Sequence, residues 1–111
     1  MTDKQFYNVW GDAKENRDID AFVSEWCLSD MFCPNDPEKD VPLELISELR
    51  NIWHVAHMSF KELRATTGLS QIKFAEHFCV SRRTVENWEI RECCPSYVKL
   101  MMAEILGLIK R

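Results

Sequence analysis

The chain has 111 residues, of which 46% are hydrophobic and 29% charged, with a formal net charge of −4. It has no run of about 18 apolar residues and no basic flank followed by an apolar segment at its start, so neither a membrane span nor a secretion signal is expected. The chain has only three glycines and four prolines, and its valine, isoleucine and threonine residues rarely recur at every second position, so helices are favoured over strands. Five cysteines, an odd number, favour a reduced, cytoplasmic chain over a disulfide framework.

The charges are unevenly distributed along the chain. Residues 1–58 contain twelve acidic and five basic side chains, a net of −7, whereas residues 59–111 contain six acidic and nine basic ones, a net of +3. Such an asymmetry indicates a nucleic-acid-facing half joined to an acidic half. We therefore predict an acidic helical annex over residues 1–58 and a second domain over residues 59–111.

Capping residues and helical periodicity predict three helices in the annex. Thr2 and Gln5 have the spacing of a capping box, so the first helix is expected to start near Asp3. Asp18 can cap a second helix. Pro42 stands where the first turn of a third helix, over residues 43–57, tolerates proline. The preceding stretch CPNDPEKDVP, residues 33–42, is interpreted as a loop.

Four further helices are expected after residue 58. Ser59 and Glu62 repeat the capping-box spacing, so a fourth helix restarts there, and Gly68 ends it. Ser70 and Ser81 cap the next two helices. The fifth, sixth and seventh helices are predicted over residues 71–78, 82–91 and 96–109. The fold class is therefore predicted to be all-α.

Two short helices joined by about three residues, within residues 70–89, form the pattern of a helix-turn-helix unit. Ala75 is small, as the crossing of two closely packed helices requires. Directly after the Ser81 cap, Arg82 and Arg83 are expected to point outward. An arginine side chain can bind the O6 and N7 atoms of guanine, and it can also pair with a phosphate. One turn further on, Asn87 suits adenine N6 and N7.

The stretch GLSQIKFAEHFCVSRRTVENWE resembles the helix-turn-helix of the lambda-repressor-like family, also called the Xre or Cro/C1 type. The resemblance covers about residues 59–111, and residues 88–97 also resemble members from phages and mobile elements. It implies a lambda-repressor-like fold and binding to double-stranded DNA. The matching residues are Gly68-Leu69-Ser70-Gln71, Phe74-Ala75, Val80-Ser81, Thr84-Val85 and Asn87-Trp88-Glu89.

The resemblance also implies roles for single residues. The first helix of the unit opens with a glutamine that touches DNA, the outward residues of the second helix read bases, and hydroxyls near the turn hold phosphates. With two further cations for phosphate, the expected DNA-binding residues are Gln71, Lys73, Ser81, Arg82, Arg83, Thr84, Asn87 and Arg91. Glu86 and Glu89 are expected to orient the arginines or to help reject wrong bases.

Two positions depart from the family pattern. The family has a left-handed glycine in the turn where this chain has Cys79, and a non-glycine residue there costs about 1 kcal/mol. The family has several basic residues after the second helix, where only Arg91 remains, so weaker binding to the DNA backbone is expected.

We predict a sequence-specific transcriptional regulator, a repressor of phage or mobile-element type, that binds a palindrome as a homodimer because one module makes few contacts. The alternative is an antitoxin- or inhibitor-type module. In that case the net charge of −7 over residues 1–58 attracts a basic protein partner, and the helix-turn-helix autoregulates its own operon.

Other chemistry is weakly indicated. One set of zinc-ligand types can be assembled from Cys27, Cys33, His54 and His57. Its cysteines are separated by five residues and its histidines lie on a predicted helix, so no metal is expected. The neighbouring Cys93 and Cys94 are interpreted as packing residues, with a redox switch as the alternative. No Ser/His/Asp set or glycine-rich phosphate loop stands out, so neither an enzyme nor a cofactor is expected.

Overall fold

The structure, a computed structural model, describes residues 1–29, 32 and 42–111. Over these residues the chain is all-α, as predicted, and no helix combines the length and apolar content that crossing a bilayer requires. The predicted loop lies, except for Pro42, outside the described residues. The helices in the described ranges are α1 (Asp3–Glu15), α2 (Ile19–Cys27), α3 (Leu43–His57), α4 (Phe60–Ala65), α5 (Gln71–Phe78), α6 (Arg82–Arg91) and α7 (Ser96–Ile105).

The chain forms two compact units. The first unit comprises Met1–His57 and Ile109–Arg111, and the second unit comprises Met58–Leu108. The last residues belong to the first unit because the Arg111 guanidinium lies 4.4 Å from the centre of the Phe6 ring and 3.3 Å from the Asp3 carboxylate. The assignment of residues 59–111 to one domain stays a prediction.

Side-chain caps define the starts of the first two helices, as predicted. The Thr2 hydroxyl accepts from the Gln5 amide at 3.1 Å, and the Gln5 side chain accepts from the Thr2 amide at 2.9 Å. The Asp18 carboxylate accepts from the amides of Asp20 and Ala21 at 2.9 and 3.3 Å. Because these bonds satisfy amides that have no partner within the helix, α1 and α2 begin where their caps stand.

The first unit has a core built from one face of each of its three helices. Two indole groups link its elements, since Trp26 Nε1 of α2 donates to Asp12 of α1 at 2.8 Å and Trp53 Nε1 of α3 donates to the carbonyl of Asn16, just after α1, at 2.9 Å. The buried residues are Phe6, Val9, Trp10, Ala13, Phe22, Val23, Cys27, Leu49, Ile52, Val55 and Ile109.

Two large apolar residues of the first unit lie outside this core. Tyr7 is 78% exposed because it is turned about 100° from Phe6 around α1, away from the buried face. Leu43 is 81% exposed because it is the first residue of α3, and the helix becomes buried only from Leu49 onward. Both side chains therefore belong to the surface of the first unit.

Gly11 lies inside α1, where a Cβ atom would meet no atom within 4 Å. Replacing Gly11 by alanine is therefore expected to raise the free energy of unfolding by about 0.8–1 kcal/mol, the difference in helix propensity between the two residues. Urea denaturation measures this change. Gly68→Ala is the matched control, because Gly68 has a φ of +70° and alanine is strained there. A destabilised Gly11→Ala variant would contradict the open space above this position.

Three serines start the first three helices of the second unit. The hydroxyls of Ser59, Ser70 and Ser81 accept from the amides three residues further on, at 3.1, 3.2 and 3.1 Å. The predicted starts of α4, α5 and α6 are thereby confirmed. The reciprocal bond of the Ser59 box differs from the prediction, because the Ser59 hydroxyl, and not its amide, donates to Glu62 at 3.3 Å.

The last helix is shorter than predicted. We expected it to span residues 96–109, but α7 ends at Ile105. Gly107 adopts a left-handed conformation with a φ of 76°, its amide donates to the Glu104 carbonyl, and the Leu108 amide donates to the Ala103 carbonyl. These two bonds form a Schellman motif, which satisfies the terminal carbonyls and redirects the chain before residue 109.

Phe60 is at the centre of the second core. Its ring meets the rings of Phe74 and Trp88 edge to face, with centroids 5.5 and 5.2 Å away, so one α4 side chain contacts both α5 and α6. Ala75 is buried, as the predicted crossing of α5 and α6 requires. The buried residues of the second unit are Phe60, Leu63, Phe74, Ala75, Val85, Met102 and Ala103.

Candidate nucleic-acid interface

The turn between α5 and α6 sets the direction in which α6 leaves. Cys79 has φ 57° and ψ 38°, so it occupies the left-handed conformation that the family resemblance implies for this position. The Val80 amide donates to the Ala75 carbonyl at 3.0 Å and the Cys79 amide donates to the Glu76 carbonyl at 3.3 Å. These bonds satisfy the end of α5 and offset part of the cost of a left-handed cysteine.

The outward face of α6 is opposite Val85, which is fully buried. Arg83, Asn87 and Ile90 are separated by four and three residues, so they lie on one side of the helix, and all three are exposed. We call these three residues the α6 stripe. Ile90 is absent from the residues predicted from the sequence, although its spacing from Asn87 places it on the same face.

Hydroxyl groups organise the first turn of α6. The Ser81 hydroxyl, besides accepting from the Thr84 amide, lies 2.7 Å from the Thr84 hydroxyl. Ser81 is exposed and Thr84 is half-buried. The pair holds the start of the helix in place and leaves an exposed hydroxyl beside it. Contact of either hydroxyl with phosphate stays a prediction.

The two neighbouring arginines have different surroundings. Arg82 Nε lies 3.0 Å from the carboxylate of Glu86, one turn away, so the predicted placement of Glu86 beside an arginine is confirmed. Arg83 is exposed and forms no ion pair with any residue that the structure describes. The guanidinium of Arg83 is therefore the one presented to solvent without a competing carboxylate.

Glu89 connects three helices instead of orienting the outward arginines, so the prediction that it orients them is wrong. Arg64 Nε of α4 donates to one carboxylate oxygen of Glu89, and Gln71 Nε2 of α5 donates to the other at 2.9 Å. Arg64 Nη1 also donates to the Leu69 carbonyl at 2.9 Å. Neither the Arg64 link nor the use of the Gln71 amide is visible in the sequence, because these residues lie 25 and 18 positions from Glu89.

The Glu89 carboxyl is ionised within this network. Its side chain is 8% exposed and that of Arg64 is 21% exposed. Burial acts to raise the pKa of Glu89, but the hydrogen bonds from Arg64 and Gln71 and the charges of Arg64 and Lys61 outweigh it, so the pKa lies below the usual value. A group with a lowered pKa stabilises the folded state while it remains charged.

The pH dependence of stability tests this network. Glu89→Gln is expected to lower the free energy of unfolding by about 2 kcal/mol at neutral pH, because a charge-assisted pair is lost in a mostly buried place. Since the pKa of Glu89 is lowered, the stabilisation is fully present above its ordinary value of 4.5 and is lost as the pH falls through the lowered value. Urea denaturation of the wild type and of Glu89→Gln between about pH 7 and pH 2 measures how the difference between their free energies of unfolding narrows as the pH falls.

The exposed pair of Arg82 and Glu86 provides a control for the prediction about Glu89. Glu86→Gln removes the exposed pair with Arg82 and should change the free energy of unfolding by less than about 0.5 kcal/mol. A difference between wild type and Glu89→Gln that stays constant down to the lowest pH would rule out an ionised pair.

The remaining predicted residues lie in the first turn of α5 and at the end of α6. Gln71 is half-buried at the first position of α5, whereas Lys73 is exposed in its first turn. Arg91 is exposed at the last position of α6. The structure thus joins Gln71 to α6 through Glu89. In the described part of the chain, no side-chain bond joins Lys73 or Arg91 to the α6 stripe.

Helix α7 is anchored just before the start of α4. Lys99 Nζ donates to the Met58 carbonyl at 3.0 Å. Burial lowers the pKa of Lys99, although the nearby carboxylates of Glu92 and Glu62 act to raise it. Burial raises the pKa of the Cys94 thiol to about 11, which keeps it protonated and weakly nucleophilic at neutral pH. These surroundings favour the packing interpretation of Cys94 over a redox switch.

The zinc-ligand types noted in the sequence have other neighbours. Cys27 is buried in the core of the first unit, and His57 Nε2 lies 2.7 Å from the Ala13 carbonyl. Cys33 is outside the described residues. In the ranges that are described, no three histidine, cysteine or acidic side chains are grouped as metal ligands.

Comparisons of this chain with protein-family models, with curated proteins and with solved structures find no match. The functional interpretation therefore depends on the chemistry and geometry of the residues described above.

Proposed function

We propose that this protein is a sequence-specific DNA-binding transcriptional regulator, a repressor of phage or mobile-element type, whose second unit is a lambda-repressor-like helix-turn-helix domain. The observation that carries the proposal is the presentation of Arg83 and Asn87 on the exposed side of a capped helix whose opposite side is buried. These two side-chain types match the guanine and adenine edges in the major groove.

In the proposed complex α6 enters the major groove, which is about 12 Å wide and admits one helix. Arg83 donates two hydrogen bonds to guanine O6 and N7, and Asn87 pairs with adenine N6 and N7. Arg82 must leave Glu86 to reach DNA, which costs little because exposed pairs of this kind are worth about 0.3–0.5 kcal/mol. Arg82 therefore adds a contact that is weaker than that of Arg83.

Phosphates are held around the helix. Gln71 uses one of its two amide hydrogens for Glu89, so the second remains for a phosphate oxygen. The exposed Ser81 hydroxyl stands at the start of α6. Lys73 lies in the first turn of α5, and Arg91 is the last residue of α6. With Thr84, these residues position α6, while the α6 stripe reads the sequence.

Selection from a random duplex library tests base reading by the two arginines. Arg83→Ala is expected to cost about 1–3 kcal/mol in affinity and to relax the preference at one G·C pair, since a bidentate contact is lost. Arg82→Ala should cost less, because Glu86 already neutralises part of its charge. Arg17→Ala, which removes an exposed arginine of the first unit, is the matched control and should leave the selected sequence unchanged.

The proposal for these arginines fails if both single variants bind and select duplexes as the parent does. Enrichment of no duplex by the parent chain would reject the whole regulator proposal.

A homodimer on a palindrome follows from the small number of contacts that one such module makes. The last helix of the second unit offers a surface for it. Tyr97, Met101 and Ile105 are separated by four residues each, so they form a continuous apolar row along α7, and they are 64%, 54% and 67% exposed. Large apolar side chains exposed in a row are typical of protein contact surfaces.

Charge placed in this row tests the homodimer. Met101→Glu is expected to shift the protein to monomers in sedimentation equilibrium and to weaken binding to the full palindrome more than binding to a single half-site. Leu28→Glu is the matched control, since Leu28 is 79% exposed in the first unit. A dimer that survives Met101→Glu and dissociates with Leu28→Glu would move the contact to the first unit.

One observation favours the antitoxin- or inhibitor-type alternative. The first unit exposes Tyr7, Leu28 and Leu43, and residues 1–58 carry a net charge of −7. Exposed apolar groups among carboxylates suit a basic protein surface and repel phosphate. A partner held stoichiometrically by the full chain and released by Tyr7→Ala or Leu43→Ala would support this function, in which operator binding serves autoregulation.

A further inference from the structure

We propose that Ile90 is a further specificity-determining residue, whose side chain contacts the 5-methyl group of a thymine next to the base pair read by Asn87. This inference rests on the proposed function, since it requires α6 to lie in the major groove. It extends that function by stating the chemistry of a base that neither arginine nor asparagine reads.

The exposure of Ile90 is the first observation that supports a contact with a base. Ile90 is 81% exposed, more than the other large apolar residues of the second unit. The other exposed positions of α6 carry cations or an amide, namely Arg82, Arg83, Asn87 and Arg91. Ile90 is therefore an isolated aliphatic side chain on an otherwise polar outward face. A single exposed aliphatic residue is ordinary by itself, so its position must carry the argument.

Position is the second support. Ile90 follows Arg83 by seven residues, or nearly two full turns, so the two side chains project within about 20° of each other around α6. Ile90 also lies about 4.5 Å beyond Asn87 along the helix axis, which is close to one base-pair step of about 3.4 Å. A base pair next to the one read by Asn87 is then within reach of Ile90.

The third support is the chemistry of the groove. Among the four bases, only thymine presents an apolar group in the major groove, its 5-methyl. Contact between that methyl and Ile90 removes two apolar surfaces from water. Cytosine in the same place has no methyl group, so this apolar contact would be lost. The position is therefore read as thymine against cytosine.

The test replaces the thymines of the selected operator by deoxyuridine, one pair of symmetry-related positions at a time. This change removes only the methyl group and keeps base pairing. At one of these positions, loss of the methyl group is expected to weaken binding of the wild-type protein about fourfold per half-site. This factor is the equivalent of about 0.8 kcal/mol for one buried methyl-sized group. Ile90→Ala should bind the thymine and deoxyuridine duplexes equally.

Controls separate this contact from a general effect. Ile72→Ala removes another exposed isoleucine of the second unit and should retain the thymine preference. Since Ile90 is mostly exposed, Ile90→Ala is expected to keep the melting temperature of the wild type, so a loss of discrimination is not a loss of folding.

Four outcomes would overturn the inference. Wild-type protein that binds duplexes but distinguishes thymine from deoxyuridine nowhere, or an Ile90→Ala variant that still distinguishes them, removes Ile90 from base reading while the proposed function stands. An Ile90→Ala variant with changed oligomeric state and intact thymine preference assigns Ile90 to a protein contact. Failure to bind any duplex rejects this inference together with the regulator function.

Discussion

The carboxylate of Glu89 decides how the second unit is arranged. A charge that is only 8% exposed must be paired, and here its partners come from two other helices, Arg64 of α4 and Gln71 of α5. Breaking such a pair leaves an uncompensated charge in a mostly buried place, which is costlier than the pair is stabilising. Glu89 therefore ties α6 to both α4 and α5, in addition to the aromatic contacts of Phe60. Since Glu89 and Val85 face inward together, Arg83, Asn87 and Ile90 face outward.

This arrangement divides the cations of the second unit into structural and available ones. Residues 58–108 contain seven basic and six acidic side chains, a net of only +1. Arg64 and Lys99 are bonded within the unit, and Arg82 is paired with Glu86. Affinity for the DNA backbone, which depends on the number of phosphates neutralised, is thus expected to be modest. In the function that we propose, selective binding then requires base-edge contacts and a second copy on the same operator.

Sequence reasoning succeeded where the relevant information is local. The starts of α1, α2, α4, α5 and α6 follow from caps that bond amides two or three residues away, so a short window contains the whole interaction. It failed at the end of α7, where we extended the apolar pattern through residue 109. Gly107 ends the helix earlier, and the signal was present in the sequence but outweighed by hydrophobicity.

The chain by itself therefore determined the helices, their caps and the exposed pair of arginines at the start of α6, because helical periodicity and capping act over three or four residues. Only the tertiary structure decided that Glu89 turns inward to Arg64, that Ile90 is left uncovered by the rest of the second unit, and that residues 109–111 belong with the first unit. These facts depend on residues far apart in the chain that meet through packing. Buried charge pairing and core closure are satisfied by the whole fold, and no short segment contains both partners.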